Sequence, residues 1–385
     1  NRSRSVIVPF HAGRHGLISS LIGVLPPRPL RLLRRLHALE TPDRRQVDEA
    51  GRWIRRAVEL QPGSSAAQAS LGRYLALTGQ PQEAQAALRR AIELDAGAFR
   101  PRVDLADLLV SAGQAEAALA LYEQAIAIDP RHAGARFGLG VAAARSGDLA
   151  RARQSLERAA ALEPHNPLPP VELARVLLAQ RDPKAALAAV NQALVIQPSL
   201  VAAQVLRGDI YDAQGRPDAA LSAYASAARS APSLAQPWLR TAMLQHRLGR
   251  AAEAQAAYRR VIELDPQQAL AYNNLAALAV QRQQDLAEAE AWARRAVALG
   301  PAVADFHDTL GWVLRARGQL PAARAALEQA ATLAPQAGQI RYHLAVVQSE
   351  AGDAAAARSA LRQALAGGDF PASADARKLL ATLGG

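Results

Sequence analysis

Proline falls at Pro62, Pro130, Pro164, Pro198, Pro232 and Pro266, on a period of 34 residues with Ala96 standing in once. The series resumes at Pro301 and Pro335 after a one-residue insertion in "QRQQD" (Gln281 to Asp285). Three other series keep the same step. Glycine recurs at Gly79, Gly113, Gly147, Gly215, Gly249, Gly318 and Gly352. Alanine recurs at Ala84, Ala118, Ala152, Ala186, Ala220, Ala254, Ala289, Ala323 and Ala357, and leucine at Leu71, Leu105, Leu139, Leu173, Leu275, Leu310 and Leu344. Four series in phase require a repeated unit of structure, and such an array grows by adding units rather than by enlarging one core.

Each series has a physical cause. Glycine allows a positive-φ turn where a first helix ends. Proline just beyond it, as at Pro81, Pro183 and Pro217, suits the opening of a second helix, and Asp182 is placed to cap one. Proline at the repeat end stops the second helix, because it lacks an N–H and clashes with the preceding turn. Alanine on the second helix lets the paired backbones approach, and leucine fills the space between them. Half the residues are hydrophobic but only 4% are aromatic, and the apolar content is mostly Ala and Leu, which favour helix. The chain is expected to be all-α.

The series divide it into a basic N-terminal segment over residues 1–28, a degenerate repeat over 29–64, nine units over 65–371 and a C-terminal capping helix over 372–385. The formal charge is +11, of which the first 62 residues, with 12 Arg and 5 Asp or Glu, hold +7. The array is close to neutral, which disfavours a nucleic-acid surface. Membrane contact is open only to the basic N-terminal segment. "GLISSLIGVL" (Gly16 to Leu25) has the apolar character of an export signal, but "PPRPLRLLRR" follows it in place of a small-residue cleavage site. The first residue is Asn, as expected of a fragment or a processed product. The absence of Cys excludes disulfides, thiolate metal sites and a Cys nucleophile.

The search for chemistry returns little. His11 and His15 in "HAGRH" have a helical metal-ligand spacing, but Gly13 lies between them and no third ligand is near, so the reading is two loop histidines. "GLG" at Gly138–Gly140 lies inside a first helix and is not a phosphate loop. No Ser/His/Asp set can be assembled. No cofactor, metal or small-molecule substrate is expected, and the chain is not expected to be an enzyme.

The repeat resembles the tetratricopeptide repeat family. In 304–337, Leu310 and Gly311 match its Leu-Gly, Gly318 its turn, Ala323 its close contact, Leu327 its bulky site, Ala330 its second small site and Pro335 its end. In 235–268, Trp238 takes the leading aromatic site, followed by Gly249, Ala254, Tyr258 and Pro266. The resemblance implies a right-handed α-solenoid of stacked helix-turn-helix units whose concave wall, lined by first helices, holds protein or peptide partners. Carried over position by position, that wall includes Phe137, Val141, Arg145, Val171 and Arg175 in the N-terminal half. Asp209, Asp212, Met243, His246 and Arg247 follow in the middle, and Asn273, Trp312, Arg315, Tyr342 and Glu350 towards the C-terminus. Its mixture of apolar and Arg positions suits a peptide, because long grooves gain affinity from many modest contacts. Trp312, expected to be exposed in the groove, is the leading hot-spot candidate. Trp53 and Trp292 fall on second helices and are read as packing.

Two specialised forms of the family do not fit. The carboxylate-clamp form needs inner-face Lys residues that are absent here, with only Asn273 and Asn274 matching its Asn sites. The asparagine-ladder form fails because the corresponding positions run Ser70, Asp104, Gly138, Glu172, Leu206, Arg240, Asn274, Thr309 and His343. The segments "NNLA", "DTLGW", "RYHLA" and the "FP" before the last helix are similar to the C-terminal repeats of bacterial proteins of exopolysaccharide production and the PEP-CTERM sorting system. That similarity implies a bacterial assembly scaffold, with periplasm or cell envelope favoured over cytoplasm. The alternative is the regulatory or substrate-recruiting region of a larger enzyme.

Overall fold

The computed structural model describes residues 44–384, with side chains from residue 47 on. Every regular element among them is an α-helix. The basic segment over 1–28, the start of the degenerate repeat over 29–64, and His11 and His15 lie outside the described residues. The chain divides into two compact units, Asn1–Pro198 and Ser199–Gly385.

In the first unit α1 (Arg44–Leu60) precedes four hairpins. These are α2 (Ser65–Leu77) with α3 (Pro81–Leu94), α4 (Phe99–Ser111) with α5 (Ala115–Ile128), α6 (Ala133–Ser146) with α7 (Leu149–Leu162), and α8 (Leu168–Ala179) with α9 (Pro183–Ile196). The second unit holds five: α10 (Val201–Ala213) with α11 (Pro217–Ser230), α12 (Ala235–Arg247) with α13 (Ala251–Leu264), α14 (Ala269–Arg282) with α15 (Leu286–Leu299), α16 (Ala304–Ala316) with α17 (Leu320–Leu333), and α18 (Gly338–Glu350) with α19 (Ala354–Ala366). A last helix, α20 (Ser373–Thr382), packs on α19. Within each unit every hairpin stacks on the next, as a solenoid requires.

One turn closes all nine hairpins. At Gly147, φ is +88°, the Gly147 N–H donates to Ala144 O (3.3 Å) and the Asp148 N–H to Ala143 O (2.9 Å). This crossed pair is the Schellman cap, which uses up carbonyls that a helix end otherwise leaves open. Two hairpins make the same turn without glycine, with Arg181 at φ +61° and Gln283 at φ +53°. In the second of these, Asp285 is also left-handed, at φ +53°. Second helices open as their residue types dictate. Pro81, Pro183 and Pro217 take the first helical position, and the Asp182 carboxylate accepts from the Ala185 N–H at 3.0 Å.

The core repeats with the sequence. Every member of the alanine series from Ala84 to Ala357 is fully buried. On four first helices a glycine faces a buried residue of the second helix: Leu88 at Gly72, Leu156 at Gly140, Tyr224 at Gly208, Leu327 at Gly311. A β-carbon at Gly311 would lie 2.5 Å from Leu327 Cγ, so the glycine is the hole into which that leucine fits. Trp53 and Trp292 pack at the margins of apolar clusters.

Candidate functional site

The inner-wall residues fall on first helices, and the two units place them separately. In the first unit Phe137 and Val141 are half-buried on α6. Arg145 is exposed, and its guanidinium donates to Val110 O (2.9 Å), binding α6 to the end of α4. Arg175 is exposed and reaches only Glu172, one turn away, at 3.4 Å. Val171 is buried on α8 and belongs to the core rather than the surface. Two carboxylates on α4 occupy the same wall. Asp104 is buried beside Arg73 at 3.5 Å, and burial raises its pKa. Asp107 accepts from the Tyr122 hydroxyl, and burial pushes its carboxyl up to about 7.

In the second unit the charged candidates are satisfied by one another across neighbouring repeats. Asp209 accepts from the Tyr224 hydroxyl (2.8 Å) and lies 3.3 Å from Arg240 Nε. Asp212 accepts from Arg247. Arg315 makes a two-pronged bond to Glu350, with its Nε 2.9 and 3.0 Å from the two carboxylate oxygens and an Nη bonded to one of them. Asp212–Arg247 and Arg315–Glu350 are each separated by 35 residues, one repeat plus one. Met243 remains exposed, and His246 meets Tyr258 edge-on at 6.2 Å. Two assignments are corrected. Asn273 is only 9% exposed, turned into the stack, so it offers no surface contact; its neighbour Asn274 donates to the Tyr258 hydroxyl. Tyr342 packs beside Phe370 in the cluster under α20 rather than in a groove.

The structure draws the remaining candidates into one place. A cavity of about 630 Å³ opens over α14, α16 and α18, lined by Ala277, Val280, Trp312, Arg315, His343 and Glu350 among others. Asp308, Trp312 and Arg315 lie at i, i+4 and i+7 on α16, so one helix face presents all three. His343 and Glu350 present a matching face on α18. Trp312, expected to stand free, is half-buried: the His343 ring stacks on it at 4.1 Å and the Arg315 guanidinium lies 4.4 Å from its centre. α14 contributes Ala277, Val280 and Gln281 to the lining, and at Ala277 the small side chain leaves space open.

Hydrogen bonds set the tautomer of His343. The Ala372 N–H donates to Gln339 Oε1 (3.3 Å), which leaves Gln339 Nε2 as a donor to His343 Nε2 (2.8 Å). The ring proton therefore sits on Nδ1 and is given to the Asp308 carboxylate, at 2.8 and 3.0 Å from its two oxygens.

Sequence reasoning missed Asp308, Thr309, His343, Gln281 and Gln283, which all line the cavity. Two signals mark them. Asp308 and His343 repeat the 35-residue spacing of complementary pairs, and Gln281 and Gln283 lie in the segment whose one-residue insertion breaks the 34-residue period. Among the described residues no group of three or more His, Asp or Glu is disposed to hold a metal ion, and no helix is long and apolar enough to cross a membrane.

Stacked helical hairpins with Schellman turns, a small-for-large fit inside each, and a wall of first helices define a helical-repeat protein. The tetratricopeptide repeat matches residues 66–97, 103–167, 171–235, 239–304 and 309–374, well over half of the chain. The chain belongs to the tetratricopeptide repeat family, whose repeats are generally protein–protein interaction modules. No curated protein is similar enough to be aligned with it. Among solved structures it is similar to YrrB, described as a tetratricopeptide protein with an unusual peptide-binding site, at 25% identity over 48% of this chain and 95% of that one, with a TM-score of 0.38. It is similar to the Cut9–Hcn1 hetero-tetramer of the APC/C at 15% identity over 95% of this chain and 98% of that one, with a TM-score of 0.48. A tetratricopeptide protein of Parabacteroides merdae is 18% identical over 66% of this chain and 99% of that one, with a TM-score of 0.48.

Proposed function

We propose that this chain is a non-enzymatic scaffold that holds an extended segment of a partner protein against the first helices α14, α16 and α18. The observation that carries the reading is the cavity lined by Trp312, Ala277 and Val280 together with polar side chains. Neighbouring packed helices lie ~10 Å apart. Three first helices therefore span ~20 Å, the length of about six residues of extended chain at ~3.3 Å each. An aromatic wall bordered by hydrogen-bonding side chains is what such a segment needs, with one anchor in a pocket and polar contacts along its main chain. The setting we infer is a bacterial cell-envelope or exopolysaccharide assembly; the support for it is the likeness of "NNLA", "DTLGW" and "RYHLA" to proteins of such systems.

The test removes the wall. Trp312→Ala combined with Arg315→Ala is expected to lower capture of nonapeptides from a random array by tenfold or more. Far-UV circular dichroism should stay unchanged, because the Arg315–Glu350 pair is open to solvent and contributes little, ~1 kcal/mol or less. Equal capture by the double variant and the parent chain refutes the groove assignment.

A further inference from the structure

The groove's own chemistry selects its occupant. We infer that the bound segment presents a lysine or arginine side chain to the pocket between Ala277 and Trp312, with its cationic head at Asp308 and Glu350. The inference rests on the groove reading above and adds the chemical class of what enters it.

Charge balance is the first argument. The cavity walls carry two carboxylates, Asp308 and Glu350, against the single guanidinium of Arg315. These fixed charges leave one carboxylate in excess, in an array that is otherwise close to neutral. An acidic side chain would have to displace Glu350 from its two-pronged bond to Arg315 and then sit beside both carboxylates.

Unused hydrogen-bonding capacity is the second argument. An ionised carboxylate has about four acceptor sites. Both Asp308 oxygens share one N–H, from His343 Nδ1, and the remaining lone pairs have no protein donor nearby, although the residue is largely shielded from water. Glu350 is committed to Arg315 along one edge only. An ammonium group brings three donors and a guanidinium five. Either supplies what these acceptors lack, through charge-assisted bonds stronger than neutral ones.

Shape is the third. Beside the carboxylates the cavity is lined by the apolar surface of Ala277, Val280 and Trp312. Lysine and arginine carry a methylene stem that covers such surface while the head stays with polar partners. A short polar side chain would leave that surface uncovered, and a purely apolar one would bury the carboxylate lone pairs unpaired.

Ala277→Phe and the array of random nonapeptides provide the test, with the full-length chain as probe. Ala277 is half-buried on the groove side of α14, so a ring there occupies the pocket without entering the helix-pair core. The expected result is that captured peptides are enriched several-fold in Lys or Arg, and that capture drops at least tenfold in Ala277→Phe. Asp308→Asn with Glu350→Gln, a pair that leaves the pocket's shape intact, should abolish the basic preference, and it serves alone if the Phe variant does not fold. Capture that is sensitive to Ala277→Phe but favours neutral or acidic peptides overturns the cationic assignment and leaves the groove reading standing. Capture that ignores both variants, or no capture at all, overturns both.

Discussion

Replacing Gly311 with alanine puts a methyl carbon 2.5 Å from Leu327 Cγ, and 3.0 and 3.1 Å from its two terminal methyls. Carbon atoms in good contact sit ~3.5–4.0 Å apart. Leu327 cannot step aside, since it is fully buried among Val313, Leu314, Ala323 and Leu344. Overpacking of this kind costs ~1–3 kcal/mol. Alanine returns ~1 kcal/mol through its better helix propensity, so the net destabilisation should be roughly 0–2 kcal/mol. The sharper quantity is the coupling to Leu327. Leu327→Ala alone leaves a cavity and costs ~2–5 kcal/mol. In the double variant the added methyl enters the vacated space, so the pair should cost ~1–3 kcal/mol less than the sum of the single changes, as contacting residues do. An array of repeats need not melt as one unit, so the measurement is hydrogen exchange of amides within 304–333, which reports local opening. Faster exchange in Gly311→Ala and a double variant better than additive are the expected outcomes. If Gly311→Ala is protected by the full propensity gain, or if the two changes add, the small-for-large fit is not what holds these helices together.

Gln283→Gly relieves a left-handed non-glycine residue, a conformation that costs roughly 1–2 kcal/mol for most side chains. It should slow exchange around the α14–α15 turn while reducing peptide capture, because the Gln283 side chain lines the cavity; Arg181→Gly should show the first effect without the second, and an unchanged capture in Gln283→Gly would refute a role for the inserted turn. Asp107→Asn should flatten the pH dependence of stability in the first unit. The Asp107 pKa is raised by burial to about 7, above the ordinary ~3.9 of an unfolded Asp, so between those values the unfolded chain binds fewer protons and stability falls as pH rises. The difference between variant and parent should grow with pH up to about 7 and then level off, at no more than ~1.4 kcal/mol per pH unit; parallel curves for the two chains would refute it.

What the sequence made legible follows from how local each feature is. A turn with φ near +80° selects glycine, a repeat end selects proline, and a helix crossing at close range selects alanine, so Gly147, Pro164 and Ala152 announce their positions without reference to distant residues. The wall depends on partners one repeat away, and there single positions mislead. Arg247 and Arg315 look like free ligand contacts in the sequence, yet each is held by an acid 35 residues distant. Asn273 and Asn274 are adjacent, and a helical step of ~100° turns one into the stack and leaves the other at a tyrosine hydroxyl. Val171 fell to the core for the same reason of register.

The departure from period is the more informative signal about the site. A regular array specifies its own packing at every repeat, so an inserted residue is tolerated only where the structure can absorb it. Here it lies in "QRQQD", where α14 gains a residue over α12 and α16 and the turn adopts left-handed geometry at Gln283 and Asp285 without a glycine. Strain of this kind costs of order 1 kcal/mol per residue and persists only when its surroundings hold it in place. Asp285 is so held, through Gln255 at 3.1 Å, and Gln255 in turn takes a hydrogen bond from Arg282. The outcome is that Gln281 and Gln283 join Trp312 in the lining of the cavity. The positions that keep the 34-residue step build the stack, and the segment that breaks it supplies side chains to the cavity.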